Sequence, residues 1–368
     1  MLIEFAILAC YGDNFFVRWI QTRMNERLQL DFLTGMRGYA ALGVVLFHIF
    51  AIFTPNIHPA VMDILILGPK GVIVFFVLSA FTIALSLDGR QSEWCSYAVR
   101  RFFRIAPAYY LMLVIVLFGR ESSFAAQFNT PFELRSFIFH LSFLNWIDFR
   151  HANNALGVEW TLSIEALYYI LLPTFIWISR TGLGAVLLIV VSVGFHLLTP
   201  APPVTEPWQW SPLPYAICFA TGVIAYKYWS AISEWRVFKS GVVLIVVLMA
   251  AILIRPVFSF PMTIVWWTVV TCALLFSGRS VISEYIFANR IALWFGERSY
   301  SLYLVHLPLL VMIIRKQHGV IGAIVTLALS LVAAYCLHRW IEKPGVSLGR
   351  ILVQRASRMA EVGSQQSR

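Results

Sequence analysis

Arg37 and His48 are separated by residues 38–47, an apolar run without a formal charge. The two residues are eleven positions apart, which on an α-helix is a rise of about 16 Å. That rise is about half the thickness of a hydrocarbon core of about 30 Å. Arg37 can therefore lie at one membrane face while His48 lies deep in the bilayer. A titratable side chain is costly to hold in lipid, and by default it indicates a functional site.

Glu165 is the second titratable residue within an apolar segment, and it follows Trp160 by five positions. If Trp160 begins a helix that enters from the outer side, Glu165 lies about 7–8 Å inside, at a depth similar to that of His48. A neighbouring carboxylate raises the basicity of an imidazole and fixes its tautomer. The two together could activate a hydroxyl as a general base. The alternative is that each is a hydrogen-bonded structural group, which leaves their complementary types and matched depth without an explanation.

Three arginines, Arg100, Arg101 and Arg104, precede an apolar helix. Two interpretations stay open for this basic loop. It can be a topology signal or a lipid-headgroup anchor. It can also bind phosphate, because guanidinium groups form bidentate bonds to phosphate oxygens and a helix N-terminus favours anions.

Other polar residues in the apolar segments indicate a functional site less clearly. Ser79 is interpreted as a residue that bonds its own helix or lines a cavity, rather than as a nucleophile. His306, about mid-membrane, is interpreted either as a packed interior residue or as part of the site lining. His140 and His196 are isolated in the sequence and are interpreted as structural or interfacial.

The composition identifies a membrane protein without any motif. Of 368 residues, 60% are hydrophobic and 12% are charged, whereas soluble domains carry about 25% charged residues. The net charge is +10, but the basic residues are spread over many loops, which favours a topology signal over nucleic-acid binding. The five cysteines are scattered, so we expect no disulfide framework and no metal site.

The apolar segments and the basic loops predict the topology. If 132–148, which is rich in polar residues, does not cross, 21 of the 28 Lys and Arg residues lie on the cytoplasmic side. We therefore expect an all-α, polytopic membrane helix bundle with about ten transmembrane helices and both termini cytoplasmic. The ten apolar segments are 37–54, 71–87, 105–119, 160–179, 182–199, 212–229, 240–254, 262–278, 299–314 and 319–338.

The predicted organisation is one membrane domain, residues 31–344, between two polar ends. Residues 1–30 are interpreted as a cytoplasmic extension and residues 345–368 as a polar cytoplasmic tail whose end is disordered. The sequence shows no internal repeat of the kind that many transporters have.

Taken together, these motifs resemble those of the membrane acyltransferase-3 family. The similarity covers residues 30–344, and six matching pieces occur in the family's order, although Ala80 and Thr161 depart from the usual residues. In chain order the pieces are Arg37 to His48, Gly71 to Phe81, Arg101 to Pro107, Trp160 to Pro173, Ser299 to Pro308, and Glu342 to Pro344.

The resemblance implies an integral-membrane O-acyltransferase of the bacterial inner (cytoplasmic) membrane. The donor would be acyl-coenzyme A, usually acetyl-CoA, and the acceptor a hydroxyl of an exopolysaccharide, a lipopolysaccharide sugar or a nodulation-type lipo-oligosaccharide. His48, assisted by Glu165, would deprotonate that hydroxyl. The nucleotide end would bind Arg37, Arg100, Arg101 and Arg104, and the site lining would be Ser79, Trp160, Ser163, Tyr300 and His306.

Several alternatives stay open at this stage. The acyl group can pass directly to the hydroxyl or through an acyl-histidine. A proton-coupled transporter or flippase of a glycan or polyol would use a buried His and Glu as a proton relay. A non-catalytic membrane scaffold leaves the buried pair unexplained.

Overall fold

The computed structural model describes residues 13–87, 94–118, 134–148, 150–199, 210–253 and 260–366. These residues form helices and loops, and no strand occurs among them. The α-helices, numbered in chain order, are α1 (Asp13–Phe53), α2 (Pro59–Leu65), α3 (Gly71–Leu87), α4 (Trp94–Phe118), α5 (Leu134–Leu141), α6 (Trp160–Ile178), α7 (Gly182–Leu197), α8 (Ala216–Ile232), α9 (Arg236–Lys239), α10 (Val242–Leu253), α11 (Phe260–Phe276), α12 (Val281–Phe287), α13 (Arg290–Ile314), α14 (Gly319–Leu337) and α15 (Lys343–Gln366).

The prediction of an all-α membrane protein is confirmed. Each of the ten apolar segments falls largely within a helix. Two of these helices, α7 and α10, are apolar but shorter than a full span. The number of crossings and the side of each terminus stay predictions. Five stretches of the described chain are long and apolar enough to cross a membrane: Asp31–Phe53, Pro59–Leu87, Trp160–Ile178, Met262–Arg279 and Gly319–Met359.

The segment 132–148 forms only the eight-residue helix α5 and a following loop. Eight residues rise about 12 Å, which is less than half of the hydrocarbon core. This length agrees with the prediction that the segment does not cross. Residues 119–133 lie outside the described part of the chain.

Both polar ends are helical where the structure describes them. The backbone is helical from Asp13 directly into the first apolar segment, and residues 1–12 are outside the described range. The predicted disordered tail is wrong for the described residues, because α15 continues to Gln366. The start of α15 packs closely on α4, because Gly345 and Gly349 lie directly against Phe103 and Pro107.

Helices α1 and α13 approach closely because small residues meet at their contact. A Cβ atom added at Gly38 would lie 2.5 Å from the carbonyl oxygen of Ala292 and 2.6 Å from the amide nitrogen of Gly296. Only glycine therefore fits there, as at other close helix contacts in membranes. Gly38 and Gly296 are 258 residues apart, and so are His48 and His306 further along the same two helices. The glycine contact thus sets the register that brings the two histidines together.

Candidate functional site

A partly open cavity lies between α1, α3, α4, α6 and α13. Its wall contains two arginines, one glutamate and several hydroxyl groups, among otherwise apolar side chains. The lining residues are Arg37, Val72, Phe75, Phe76, Ser79, Arg104, Ile105, Thr161, Leu162, Glu165, Tyr169, Ser299, Tyr300 and Tyr303.

Arginines form the basic part of this wall. Arg37 donates from Nη2 to the Thr82 hydroxyl on α3, at 2.8 Å. Arg104 lines the same cavity, and its charge and that of Arg101 act on Arg37. The Arg101 guanidinium lies 5.5 Å from the ring centroid of Tyr169, in the range of a cation–π contact. The structure therefore brings Arg37, Arg101 and Arg104 together, as an anionic ligand would require.

Glu165 lies in the cavity wall as the acceptor of two hydroxyl groups. The Ser79 hydroxyl donates to its Oε1 atom, and the Tyr169 hydroxyl donates to the same oxygen at 2.5 Å. Ser79 lies one helical turn before Thr82, the partner of Arg37. Glu165 is thus at the level of the arginines, where its charge acts on Arg37.

His48 has a different partner. Its Nδ1 atom lies 3.1 Å from Nε2 of His306, and the two rings stack with centroids 5.2 Å apart. His306 is completely buried, whereas His48 is partly exposed. Tyr303 connects the pair to the cavity, because it lines the cavity and its carbonyl oxygen lies 2.8 Å from Nδ1 of His306.

The predicted His48–Glu165 pair is therefore not formed. No described hydrogen bond or ion pair joins these residues. The Glu165 charge instead acts on Arg37, and Arg37 precedes His48 on α1 by a rise of about 16 Å. Helical rise gives distances along one helix. It does not give the axial offset between two helices, so the matched depth depended on placing Trp160 at the membrane edge.

The other predicted site residues divide between the cavity and the surrounding bundle. Tyr300 lines the cavity and donates its hydroxyl proton to the Ile105 carbonyl at 2.8 Å. Trp160 and Ser163 are outside the lining, because the indole packs on Tyr215 and the Ser163 hydroxyl bonds the Trp160 carbonyl. Arg100 is also outside the lining.

Four hydroxyl-bearing cavity residues, Thr161, Tyr169, Ser299 and Tyr303, are not among the site residues that the sequence predicts. Tyr169 is the most readily found in retrospect, since it is four positions after Glu165 and therefore on the same helix face. Thr161 and Tyr303 bond one another through their hydroxyl oxygens at 3.0 Å. Their contact joins α6 to α13, and a separation of 142 residues hides it from any local pattern.

His140 is not isolated, as its sequence context suggested, but belongs to a buried polar cluster beside the start of α6. Its Nε2 donates to the Asn154 side chain at 2.9 Å, and the Tyr109 hydroxyl lies 2.9 Å from its Nδ1. Burial lowers the pKa of His140 to about 4. Glu159, also fully buried, accepts three backbone N–H bonds from residues 155, 156 and 158. Burial nevertheless raises its pKa to about 7.

The side chains of the site include two chemical kinds, guanidinium groups and imidazoles. Within the described ranges, no group of three or more His, Cys, Asp or Glu side chains is arranged to hold a metal ion. The arginines suit an anionic ligand, and the histidine pair suits proton transfer.

Comparisons with known proteins agree with the motifs. A family model described as an acyltransferase domain matches residues 30–339. Acyltransferase MdmB of Streptomyces mycarofaciens is 25% identical over 87% of this chain and 92% of its own length. Peptidoglycan O-acetyltransferase OatA of Listeria monocytogenes is 24% identical over 88% of this chain and 57% of its own length.

A shorter similarity, at 31% identity, covers 43% of this chain and 26% of the putative peptidoglycan O-acetyltransferase YrhL of Bacillus subtilis. The chain thus spans almost all of one of these relatives and only part of the two peptidoglycan enzymes. No solved structure matches the chain.

Proposed function

Because the chain belongs to the acyltransferase family whose model covers residues 30–339, we propose that it transfers an acyl group from acyl-coenzyme A to a hydroxyl of a surface or secreted glycan. Acetyl is the proposed acyl group, and the bacterial inner membrane is the proposed location. The observation that carries the proposal is one cavity that holds Arg37, Arg104 and Glu165 and reaches Tyr303. Tyr303 is one helical turn before His306, the partner of His48, although neither histidine is among the lining residues.

The arginine end of the cavity suits the nucleotide part of the donor. Arg37, Arg101 and Arg104 present guanidinium groups to one region, and such groups bind phosphate oxygens bidentately. Arg100, which is one position from Arg101 and four from Arg104 on helix α4, would contact the phosphates from outside the cavity. The pantetheine arm would then extend along α1 through the rise of about 16 Å that separates Arg37 from His48.

His48 is proposed as the general base at the other end. Its imidazole would take the proton of an acceptor hydroxyl while the hydroxyl oxygen attacks the thioester carbonyl. The carbon–sulfur bond then breaks, and the proton passes from the imidazole to the departing thiolate. This direct path forms one ester and releases one thiol. A two-step path through an acyl-histidine also forms one ester and releases one thiol overall.

Glu165 has a role distinct from the assistance to His48 that the sequence suggested. It accepts bonds from Ser79 and Tyr169, and its negative charge lies beside Arg37. We therefore assign it to holding the cavity wall in place and balancing the charge of the arginines. Ser79 and Tyr300 line the path of the donor, whereas Trp160 and Ser163 support the helix that carries Glu165.

The decisive experiment follows a radiolabelled acetyl group. Membrane vesicles that contain the full chain are given labelled acetyl-CoA and glycans extracted from a strain that lacks the protein. Label in the glycan supports transfer, and movement of glycan without labelling supports a transporter instead. His48→Ala should abolish labelling while the protein stays folded, and His196→Ala is the matched control, since His196 is a buried histidine whose described hydrogen bond joins it to the Pro214 carbonyl.

The acceptor is best identified by comparing glycans from the deletion strain and its parent. The relatives' names include peptidoglycan O-acetyltransferases and a nodulation protein of Rhizobium leguminosarum. Peptidoglycan, exopolysaccharide, lipopolysaccharide and secreted lipo-oligosaccharides are therefore the fractions to analyse. Mass spectrometry should show one fraction that lacks a mass increment of one acyl group per modified sugar in the deletion strain.

A further inference from the structure

A chain of hydrogen bonds from a backbone carbonyl determines where the proton of His306 lies. Nδ1 of His306 is 2.8 Å from the Tyr303 carbonyl oxygen. A carbonyl oxygen can only accept, so Nδ1 carries the proton. His306 is completely buried, and neither of its described partners is a carboxylate. Burial without a counter-charge disfavours the imidazolium, and Nε2 of His306 is therefore an acceptor.

The same logic determines the tautomer of His48. Its Nδ1 lies 3.1 Å from the Nε2 atom of His306, which accepts, so Nδ1 of His48 donates. A neutral imidazole has one N–H, which leaves Nε2 of His48 with an unshared electron pair. That atom has no hydrogen bond within the described residues, and the side chain is partly exposed. The free basic nitrogen is thus the one that is available to accept a proton.

The arrangement depends on packing that is independent of the histidines. The glycine contact between α1 and α13 has the same sequence separation as the histidine pair. It lies ten residues, almost three helical turns, before that pair. The parallel register of two rigid helices therefore places His306 opposite His48 before any ligand binds.

We propose that His306 is a positioning residue that holds His48 in the tautomer protonated at Nδ1, so that Nε2 is the general base. The catalytic meaning of this assignment rests on the proposed acyl transfer. During transfer, Nε2 of His48 takes the hydroxyl proton, and the Nδ1–H group of the resulting imidazolium remains bonded to His306. The proton on Nε2 then passes to the departing thiolate, which restores the starting tautomer.

The tautomer can be measured without turnover. Nitrogen NMR of the full chain in nanodiscs, labelled with ¹⁵N-histidine, distinguishes protonated from unprotonated ring nitrogens, and the spectrum of His48→Gln identifies the signals of His48 among the eight histidines. We expect wild-type His48 to be protonated at Nδ1 and His306→Leu to show mixed tautomers. A wild-type His48 protonated at Nε2 overturns the proposal, whether or not the chain transfers acyl groups. The expected tautomer in a chain that transfers no acyl group supports the positioning and contradicts the proposed reaction instead.

Kinetics separate positioning from a general structural role. His306→Leu should lower kcat by about 10-fold or more, as the loss of a group that orients a functional histidine does, while KM for the donor stays unchanged. His306→Gln should recover most of the loss, because its amide oxygen can accept the Nδ1–H bond. His196→Leu, which also removes a buried histidine, should leave kcat unchanged. Equal losses in His306→Leu and His306→Gln, or a similar loss in His196→Leu, contradict the positioning role.

Discussion

Gly38→Ala tests whether the contact between α1 and α13 sets the histidine pair. The added Cβ atom would lie 2.5 Å from the Ala292 carbonyl oxygen, whereas such atoms essentially never approach closer than 3.0 Å. The obstacle is backbone, which cannot rotate away. The helices must therefore separate by about 0.5 Å to remove the clash, and by about 0.9 Å to reach ordinary contact at 3.4 Å.

That separation has consequences for both stability and turnover. The distance between His48 and His306, now 3.1 Å, would grow to about 3.6–4.0 Å, which is beyond hydrogen-bond range. Forcing an extra methyl group into a close-packed contact typically costs about 1–3 kcal/mol of unfolding free energy. Misplacing a catalytic group by up to about 1 Å can cost about 100-fold in rate. We therefore expect Gly38→Ala to unfold at lower temperature and to lose at least about 10-fold in kcat.

The assay compares this variant with Gly194→Ala on α7, where an added Cβ has no neighbour within 4 Å. The control should be neutral or slightly stabilising, by up to about 1 kcal/mol, because alanine favours helix over glycine. Thermal unfolding in detergent, followed by tryptophan fluorescence, and labelled acetyl transfer are measured on both variants. If Gly38→Ala unfolds and turns over like Gly194→Ala, the close approach of α1 and α13 does not position the histidines, and the reasoning is wrong.

The double variant Arg101→Ala, Arg104→Ala should raise KM for the donor by about 10-fold or more, because charge-assisted bonds to phosphate contribute about 1.5–3 kcal/mol each. Unchanged donor affinity in this variant contradicts the phosphate site. Glu165→Ala should lower the unfolding temperature more than Glu165→Gln, because only the amide can still accept the Ser79 hydroxyl; equal melting curves would count against this role. Glu159, with its pKa raised to about 7 by burial, keeps its proton in the folded state at pH values where the unfolded chain has lost it. Stability should therefore fall by about 3 kcal/mol as the pH rises from about 4.5 to about 7. Glu159→Gln should flatten that part of a melting-temperature profile, and an unchanged slope would show that another group titrates.

The sequence predicts the membrane character and most of the helices, because hydrophobicity and helical rise are local properties. Each of the ten apolar segments falls largely within a helix. The basic Arg101–Arg104 segment adjoins the cavity, although it lies inside α4 and not in a loop before the helix start, as the sequence suggested. The family is also readable from motifs spread along the chain, and the acyltransferase model over residues 30–339 agrees with it.

The disordered tail was mispredicted for a physical reason. Composition measures how polar a segment is, whereas the first turns of α15 pack on α4 at Gly345 and Gly349 and the helix continues from there to Gln366. His140 looked isolated for a similar reason, because its partners Tyr109 and Asn154 are 31 and 14 residues away. Long-range packing decides both cases.

The chain's own sequence determined the distance of about 16 Å between Arg37 and His48, because that distance follows from helical rise alone. It also determined that one arginine, Arg37, and one histidine, His48, occur in the same apolar segment. Only the tertiary structure decided that His48 pairs with His306, and that Glu165 lies with Ser79 at the level of Arg37. Periodicity fixes positions along each helix, but the axial offset between two helices comes from their contacts, here the meeting of Gly38 with Gly296.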